Sequence, residues 1–165
     1  MVFAETLLSP LGPLMLLSNG REVTGLYFLE GHRRGREPNP EWASGSAVEV
    51  IRHTEEQLEA YFDGSLREFE LPLRLEGTEF QRAVWRTLRE IPYGVTTTYG
   101  ALAARLGRRD AVRAVGSAVG RNPISVIVPC HRVVGAGGHL IGFAGGLDRK
   151  QYLLDLELRC SSSLS

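Results

Sequence analysis

Cys130 and His131, side by side in Pro129-Cys130-His131-Arg132-Val133, are the residues of this chain best suited to bond-making chemistry. A thiolate is soft, polarizable and strongly nucleophilic, which makes a cysteine a natural acceptor for an electrophilic carbon. A free cysteine has a pKa of about 8.5, so little of it is ionised at neutral pH and a base has to help. His131 is the obvious base. Adjacent residues of an extended strand point to opposite faces, however, so contact between the two side chains needs a bend at Cys130 or a bridging water. A carboxylate on the far imidazole nitrogen would hold the tautomer and support an imidazolium. Asp148, Asp155 and Glu157 all lie downstream, and the residues alone do not choose between them. Taken singly, a cysteine is more often a small buried hydrophobe than a nucleophile; the flanking motif reverses that balance here.

Those residues need a rigid base. Ile124, Val126, Ile127 and Val128 form an apolar run that predicts a buried strand ending at Cys130, and Gly135 to Gly138 predict the loop after it. The N-terminal part reads as a β-meander. Strands are expected over Val2–Leu8, Leu14–Leu17 and Val23–Phe28, with a turn at Ser9–Pro13 and a hairpin signal at Asn19-Gly20. Residues 31–40 are polar and predict a mobile loop. Ser46-Ala47-Val48-Glu49 has the pattern of a capping box opening a helix with Ala47, Ile51, Leu58 and Phe62 near one face. That helix should stop at Asp63-Gly64, and a short strand over Phe69–Leu75 leads to a domain boundary at Glu76-Gly77.

The remainder predicts helices. Thr78-Glu79-Phe80-Gln81 is a second capping box, followed by the stripe Phe80, Val84, Leu88 and Ile91. A short helix carrying Leu102 and Leu106 stops at Gly107, and Asp110 is placed to cap the next. Two short helices so joined resemble a helix-turn-helix. The second buries Ala111, Ala114 or Val115, and Ala118 or Val119, and offers Arg113, Gly116, Ser117 and Gly120 on its other face. One arginine among small residues suits close approach to a minor groove better than readout of base edges in the major groove. Charge agrees with a polyanion partner for this half: acids dominate between Glu41 and Glu79, whereas Arg105, Arg108, Arg109, Arg113, Arg121 and Arg132 face only Asp110.

From Gly77 to Glu157 the chain resembles the O6-alkylguanine-DNA alkyltransferases, which move an alkyl group from damaged guanine onto a protein cysteine. The resemblance rests on Thr96-Thr97-Thr98-Tyr99-Gly100, Arg113-Ala114-Val115-Gly116, Arg121-Asn122-Pro123, the Cys130 motif and Gly145-Gly146-Leu147, in that order. It implies an α/β N-terminal domain over residues 1–76, a small antiparallel sheet plus helix of ribonuclease-H-like type. A mainly helical winged helix-turn-helix domain over 77–160 and a tail at 161–165 would follow. It also implies a water-mediated relay through Cys130, His131 and Glu157, Tyr99 as proton donor toward the guanine, and Asn122 as a brace of the active-site turn. DNA contacts fall on Thr97, Thr98, Arg113, Ala114, Gly116, Ser117 and Arg121, with Arg113 entering the stack vacated by a flipped base. Val133, Val134, Phe143, Ala144 and Gly145 would line the pocket. Phe143 departs from relatives, which often carry tyrosine there, and the small residues beside it suggest room for substituents larger than methyl. The implied reaction is single-turnover, needs no cofactor or metal, and leaves O4-alkylthymine open as a second substrate. The implied partner is duplex DNA containing O6-alkylguanine, met by a monomer.

Composition bounds the alternatives. The 165 residues, with a formal net charge of zero, suffice for one large or two small domains without a staple. Met1 to Glu5 do not begin a targeting segment, no apolar run approaches membrane-spanning length, and Cys130 and Cys160 do not form a disulfide framework. A cytoplasmic, nucleoid-associated protein is therefore expected. His32, His53 and His139 lack ligand spacing with either cysteine. A lesion-binding helix-turn-helix protein without chemistry is the competing reading, but such relatives replace the cysteine that is intact here. A cysteine hydrolase would need an oxyanion hole that nothing identifies.

Overall fold

The computed structural model describes residues 1–32 and 37–162, so the loop expected over 31–40 and the tail expected over 161–165 lie partly outside the described residues. Two compact units emerge, one made of residues 1–75 with 123–125, the other of residues 76–122 with 126–165.

The first unit is built on β1 (Phe3–Leu7), β2 (Leu14–Ser18), β3 (Val23–Phe28) and β4 (Ala43–Ser44), ordered β3-β2-β1-β4. The meander pairs antiparallel, but β4 joins β1 in parallel, so the sheet is mixed where an antiparallel one was expected. Central β2 is buried along its whole length. Its alternation sets the register: Leu14 and Leu16 lie opposite Phe28 and Leu26 on one face, and Met15 lies opposite Tyr27 on the other. Met15, Leu17 and Tyr27 pack with Ala4, Leu29 and Trp42. The outer edge of β3 is covered in two places. Val23 exchanges hydrogen bonds with Pro72 and Arg74, and Leu26 with Pro123 and Ser125, which leaves less unpaired edge for another chain.

Helix α1 (Glu49–Phe62) starts later than the capping box predicts. The Ser46 hydroxyl pairs with Ser44, and Val48 N–H closes a turn onto the Gly45 carbonyl, so Val48 becomes the cap residue and supplies no side-chain bond. Its C-terminus follows the expected Asp63-Gly64, with Gly64 at φ 87°, where a Cβ would be penalised. Residues 69–75 do not form the expected strand; only Leu73 bridges to Val23, and Pro72 has no N–H to extend the ladder.

In the second unit, α2 (Glu79–Leu88) opens with the reciprocal Thr78–Gln81 capping box. It buries Val84 and Leu88 as the stripe predicts, together with Trp85, whose indole N–H donates to the Ala118 carbonyl at 2.8 Å. Trp85 thereby fastens α2 to α4 (Val112–Gly120). A two-residue β5 (Thr97–Thr98) leads into α3 (Tyr99–Arg105), where Thr98 accepts from Ala101 N–H as the cap. Asp110 does not cap α4. It sits inside a 3-10 turn over Arg109–Ala111, and α4 begins at Val112 with no side-chain bond. Val115, Ala118 and Val119 are the buried side of α4, and Ala114 is exposed. The unit closes with β6 (Val133–Val134), parallel to β5, and α5 (Leu147–Ser162), which carries Ser161 and Ser162 in helix where a tail was expected.

Candidate active site

The largest departure from the sequence reading lies just ahead of the cysteine. Ile124 to Val128 are buried, as their apolar character demands, yet they are not a strand. Ile124 makes a single bridge to Leu26, and Val126 then adopts φ 71°, a left-handed conformation that costs a β-branched residue of order 1–3 kcal/mol. Past this reversal, Cys130–Arg132 form one 3-10 turn, with Cys130 N–H donating to Val128 O at 2.8 Å and Arg132 N–H to Pro129 O at 3.1 Å. A 3-10 turn has three residues per turn, so consecutive side chains do not alternate by 180°. The bend that a cysteine–histidine relay requires is therefore built into the backbone.

His131 and Arg132 both turn inward onto α5. His131 Nε2 lies 2.7 Å from Glu157 Oε2, with both side chains at most 1 % exposed. A carboxylate only accepts, so in this pairing Nε2 carries the proton and Nδ1 is left as the acceptor. Nδ1 is buried and has no hydrogen-bond partner among the described residues. Arg132 donates from Nε to Glu157 Oε1 at 2.8 Å, from Nη2 to Oε2 at 3.0 Å, and from Nη1 to the Ile91 carbonyl at 2.6 Å. Gly94 N–H also donates to Oε1, at 3.2 Å. Asp155 is exposed and bonded to Gln151, and Asp148 is exposed, so of the three carboxylates left open by the sequence only Glu157 reaches the imidazole. Burial alone would raise the Glu157 carboxyl, but the hydrogen bonds and charges of His131 and Arg132 outweigh it and hold the group well below the usual carboxylate range. Burial pushes His131 down, and Arg132 and Lys150 add to that against the opposing pull of Glu157.

Cys130 is 7 % exposed. Burial pushes its thiol up, offset in part by a hydrogen bond from Asn122, the charge of Lys150, and the N–H groups of Cys130 and His131. Cys130 is thus a thiol surrounded by groups that favour its anion. Asn122 Nδ2 also donates to Val128 O at 2.7 Å, tying the end of α4 to the segment before the cysteine. Tyr99 is half-buried beside Gly116 of α4, and its hydroxyl donates to Ile141 O at 3.1 Å.

Lys150 is a member of this cluster that the sequence reading passed over. It is wholly buried, and Nζ donates to the carbonyls of Val133 (2.6 Å), Ile141 (2.9 Å) and Gly142 (3.2 Å). Burial lowers it to about 8 against the opposing influence of Cys130. A signal for it existed: Lys150, Leu153 and Glu157 follow the i, i+3, i+7 spacing of a core-facing helical stripe. Arg132 was counted with the basic surface, and the structure corrects this by burying it against Glu157.

The residues expected to meet a partner lie elsewhere. Arg113, Ala114, Ser117 and Arg121 are exposed and Gly116 is half-buried, all on or just after α4. Neither the Arg113 nor the Arg121 side chain has a hydrogen bond or ion pair among the described residues, whereas Arg105 is held by Glu90 at 2.9 Å. Thr97 and Thr98 pair with Val133 and Val134, which joins the start of α3 to the residues following the cysteine. Val133, Val134 and Gly145 are buried, and Phe143 and Ala144 partly so. No group of three or more His, Cys, Asp or Glu side chains among the described residues is arranged to hold a metal.

Comparison with known proteins adds the context for this cluster. Residues 2–75 match the family model "6-O-methylguanine DNA methyltransferase, ribonuclease-like domain", and residues 79–159 match its "DNA binding domain". A methylated-DNA–protein-cysteine methyltransferase of Mycolicibacterium paratuberculosis is 48% identical over 165 residues, covering 98% of this chain and 95% of the relative. Another from Methanosarcina acetivorans is 48% identical over 152 residues, covering 92% and 96%. The Mycobacterium tuberculosis OGT crystallised in complex with DNA superposes with a TM-score of 0.88 at 45% identity, covering 96% of this chain and 94% of its own.

Proposed function

The chain belongs to the 6-O-methylguanine DNA methyltransferase family, and we propose that it repairs O6-alkylguanine in duplex DNA by transferring the alkyl group irreversibly to Cys130. The observation that carries this reading is the bent Cys130–His131 turn locked to Glu157, with His131 Nδ1, the nitrogen that can accept a proton, left without a partner among the described residues. In the reaction the thiol proton passes to His131 Nδ1, directly or through a water. The sulfur attacks the alkyl carbon, an S–C bond forms, the C–O6 bond breaks, and its electron pair stays on the base. A proton from Tyr99 then neutralises the departing guanine. The proton held by the imidazolium restores the tyrosine, so the thiol hydrogen ends on guanine and the alkyl group on sulfur. Asn122 steadies the turn and favours the thiolate. A thioether is stable, so each molecule acts once.

The base has to leave the stack to reach a buried sulfur, at a cost of a few kcal/mol. Arg113 is the residue suited to fill the gap, since it is exposed, unpaired among the described residues and flanked by small side chains. Thr97, Thr98, Ala114, Gly116, Ser117 and Arg121 are assigned to the duplex contact, and Val133, Val134, Phe143, Ala144 and Gly145 to the pocket. We infer a monomer acting in the cytoplasm on nucleoid DNA, in keeping with a nucleophile that oxidation would destroy. Among the described residues, no helix is long and apolar enough to cross a membrane.

Intact-mass analysis after incubation with a duplex oligonucleotide containing O6-methylguanine should show one added methyl per molecule, and peptide mapping should place it on Cys130. Cys130→Ser should abolish transfer while keeping salt-sensitive DNA binding, because phosphate contacts do not involve the thiol. Methyl on Cys160, several turnovers per molecule, or transfer surviving Cys130→Ser would overturn the assignment.

A further inference from the structure

Two side chains of different kinds share Glu157, and the shares are unequal. Arg132 reaches both carboxylate oxygens, at 2.8 and 3.0 Å, while His131 reaches only Oε2. The guanidinium is fixed by two further contacts, the Ile91 carbonyl at 2.6 Å and the face of Tyr93, whose ring centre is 5.7 Å from Cζ. Such a bidentate pair in a water-poor interior has its charge already cancelled.

That leaves His131 beside a neutralised carboxylate. The charged groups that act on it are Glu157 and Lys150 from α5 and Arg132 from its own turn, with the Cys130 thiol one residue before it in that turn. Helix α2 also packs against this turn, but none of its charged side chains acts on the imidazole. With a neutral imidazole and a thiol, the buried cluster carries Glu157 against Arg132 and Lys150, one positive charge in excess. Protonating His131 would make the excess two, which a low-dielectric interior resists. Were Arg132 absent, an imidazolium would instead complete the pair with Glu157, and Nδ1 could no longer take a proton.

We propose that Arg132 is a positioning residue for alkyl transfer: by occupying both oxygens of Glu157 it keeps His131 a neutral, Nε2-protonated imidazole whose Nδ1 stays available to the Cys130 thiol. The proposal rests on His131 being the base in the reading above. It also explains why a histidine hydrogen-bonded to a buried carboxylate can still act as a base at neutral pH.

The test is the pH dependence of single-turnover transfer from an O6-methylguanine duplex, measured from pH 5 to 9 for the wild type, Arg132→Lys and Arg132→Met. Arg132→Met should move the acid limb upward by at least about one unit, about a tenfold loss within the limb that recovers at high pH. Arg132→Lys, which keeps the charge, should stay near the wild-type limb. A folded Arg132→Met protein that is slowed equally at every pH overturns the proposal, because a purely structural role would not move the limb. Imidazole nitrogen shifts, assigned with His131→Gln, supply a measurement that needs no arginine variant. Wild-type His131 should be neutral at pH 6.5, and an imidazolium there overturns the proposal even if Arg132→Met fails to fold. If instead the wild type reacts with no acid limb, or His131→Gln retains it, the reading of His131 as base fails, and the nitrogen shifts still judge what Arg132 does to His131.

Discussion

Glu55 and Glu157 are both glutamates on helices that cover a core, one in each compact unit, and their surroundings drive them in opposite directions. Glu55 lies on α1 at a cleft of 650 Å³, whose floor includes Leu7, Leu14, Leu58 and Phe62 and whose rim includes Glu5, Glu59 and Asp63. Partial burial raises its carboxyl, and Glu5, Glu59 and Glu56 raise it further. Glu157 is far more deeply buried, yet it is held low because Arg132 and His131 meet it with donors and charge. The comparison separates concavity from chemistry. The cleft is lined by acids, Thr6 and apolar groups, with no cysteine, histidine or basic side chain among them, while the cluster around Cys130 is a tightly packed interior. Burying a full complement of charges costs solvation, so a site that keeps Glu157, Arg132, His131 and Lys150 together has a use for their protonation states.

Glu157→Gln is the substitution that should disturb the comparison most. It leaves Arg132 buried without its counter-charge and should cost about 3–5 kcal/mol, read by urea unfolding at pH 7; a loss under about 1 kcal/mol would mean that the cluster contributes no more than a surface pair. The sign with pH follows from the depressed carboxyl. Its contribution is fully present above the unfolded value of 4.5 and is lost as pH falls toward the folded one. Wild-type stability should therefore decline below about pH 5, and the Gln variant should lack that part of the decline.

Arg113 sharpens the contrast between an exposed arginine and the buried Arg132. Arg113→Ala should slow repair in duplex DNA at least about tenfold relative to its effect on a free benzylated guanine, a wedge worth about 1.4 kcal/mol. The free base has no stack to leave. Equal losses on both substrates would assign Arg113 to the fold or the pocket, and stability should be nearly unchanged because the side chain is exposed.

The smallest effect belongs to Glu55. A raised folded pKa makes its ionisation unfavourable to folding, so Glu55→Gln should stabilise the protein above that pKa and change nothing near pH 3, where the carboxyl is protonated in both states. The group is largely solvated, which limits the gain to about a few tenths of a kcal/mol at pH 7, measurable as a small rise in Tm. Transfer to Cys130 should be unaffected. Destabilisation at pH 7 would show that the acid rim of the cleft is compensated after all.

Local patterns were legible wherever one residue's neighbours in sequence are also its neighbours in space. The apolar runs on either side of Asn19-Gly20, Leu14 to Leu17 and Val23 to Phe28, mark strands, Thr78 and Gln81 meet across one helical turn, and Asp63-Gly64 ends α1. The Ser46 box failed because Ser44, two residues away, competes for the same hydroxyl. Asp110 failed because its helix opens through a 3-10 turn. The strand expected at Ile124–Val128 failed for a different reason: an apolar run reports burial, and burial does not dictate backbone conformation.

By itself the sequence determined the family resemblance, the meander, the helical second half and the identity of a lone motif cysteine beside a histidine. The tertiary structure decided the rest of the site. It turned Cys130–Arg132 into a 3-10 bend, selected Glu157 over Asp148 and Asp155, and drew Arg132 and Lys150 into the interior. The physical reason is that a lysine or an arginine reads as surface unless its compensating partners are known. Those partners are backbone carbonyls at Ile91, Val133, Ile141 and Gly142 and a carboxylate 25 residues away, which only the folded chain brings within hydrogen-bonding distance.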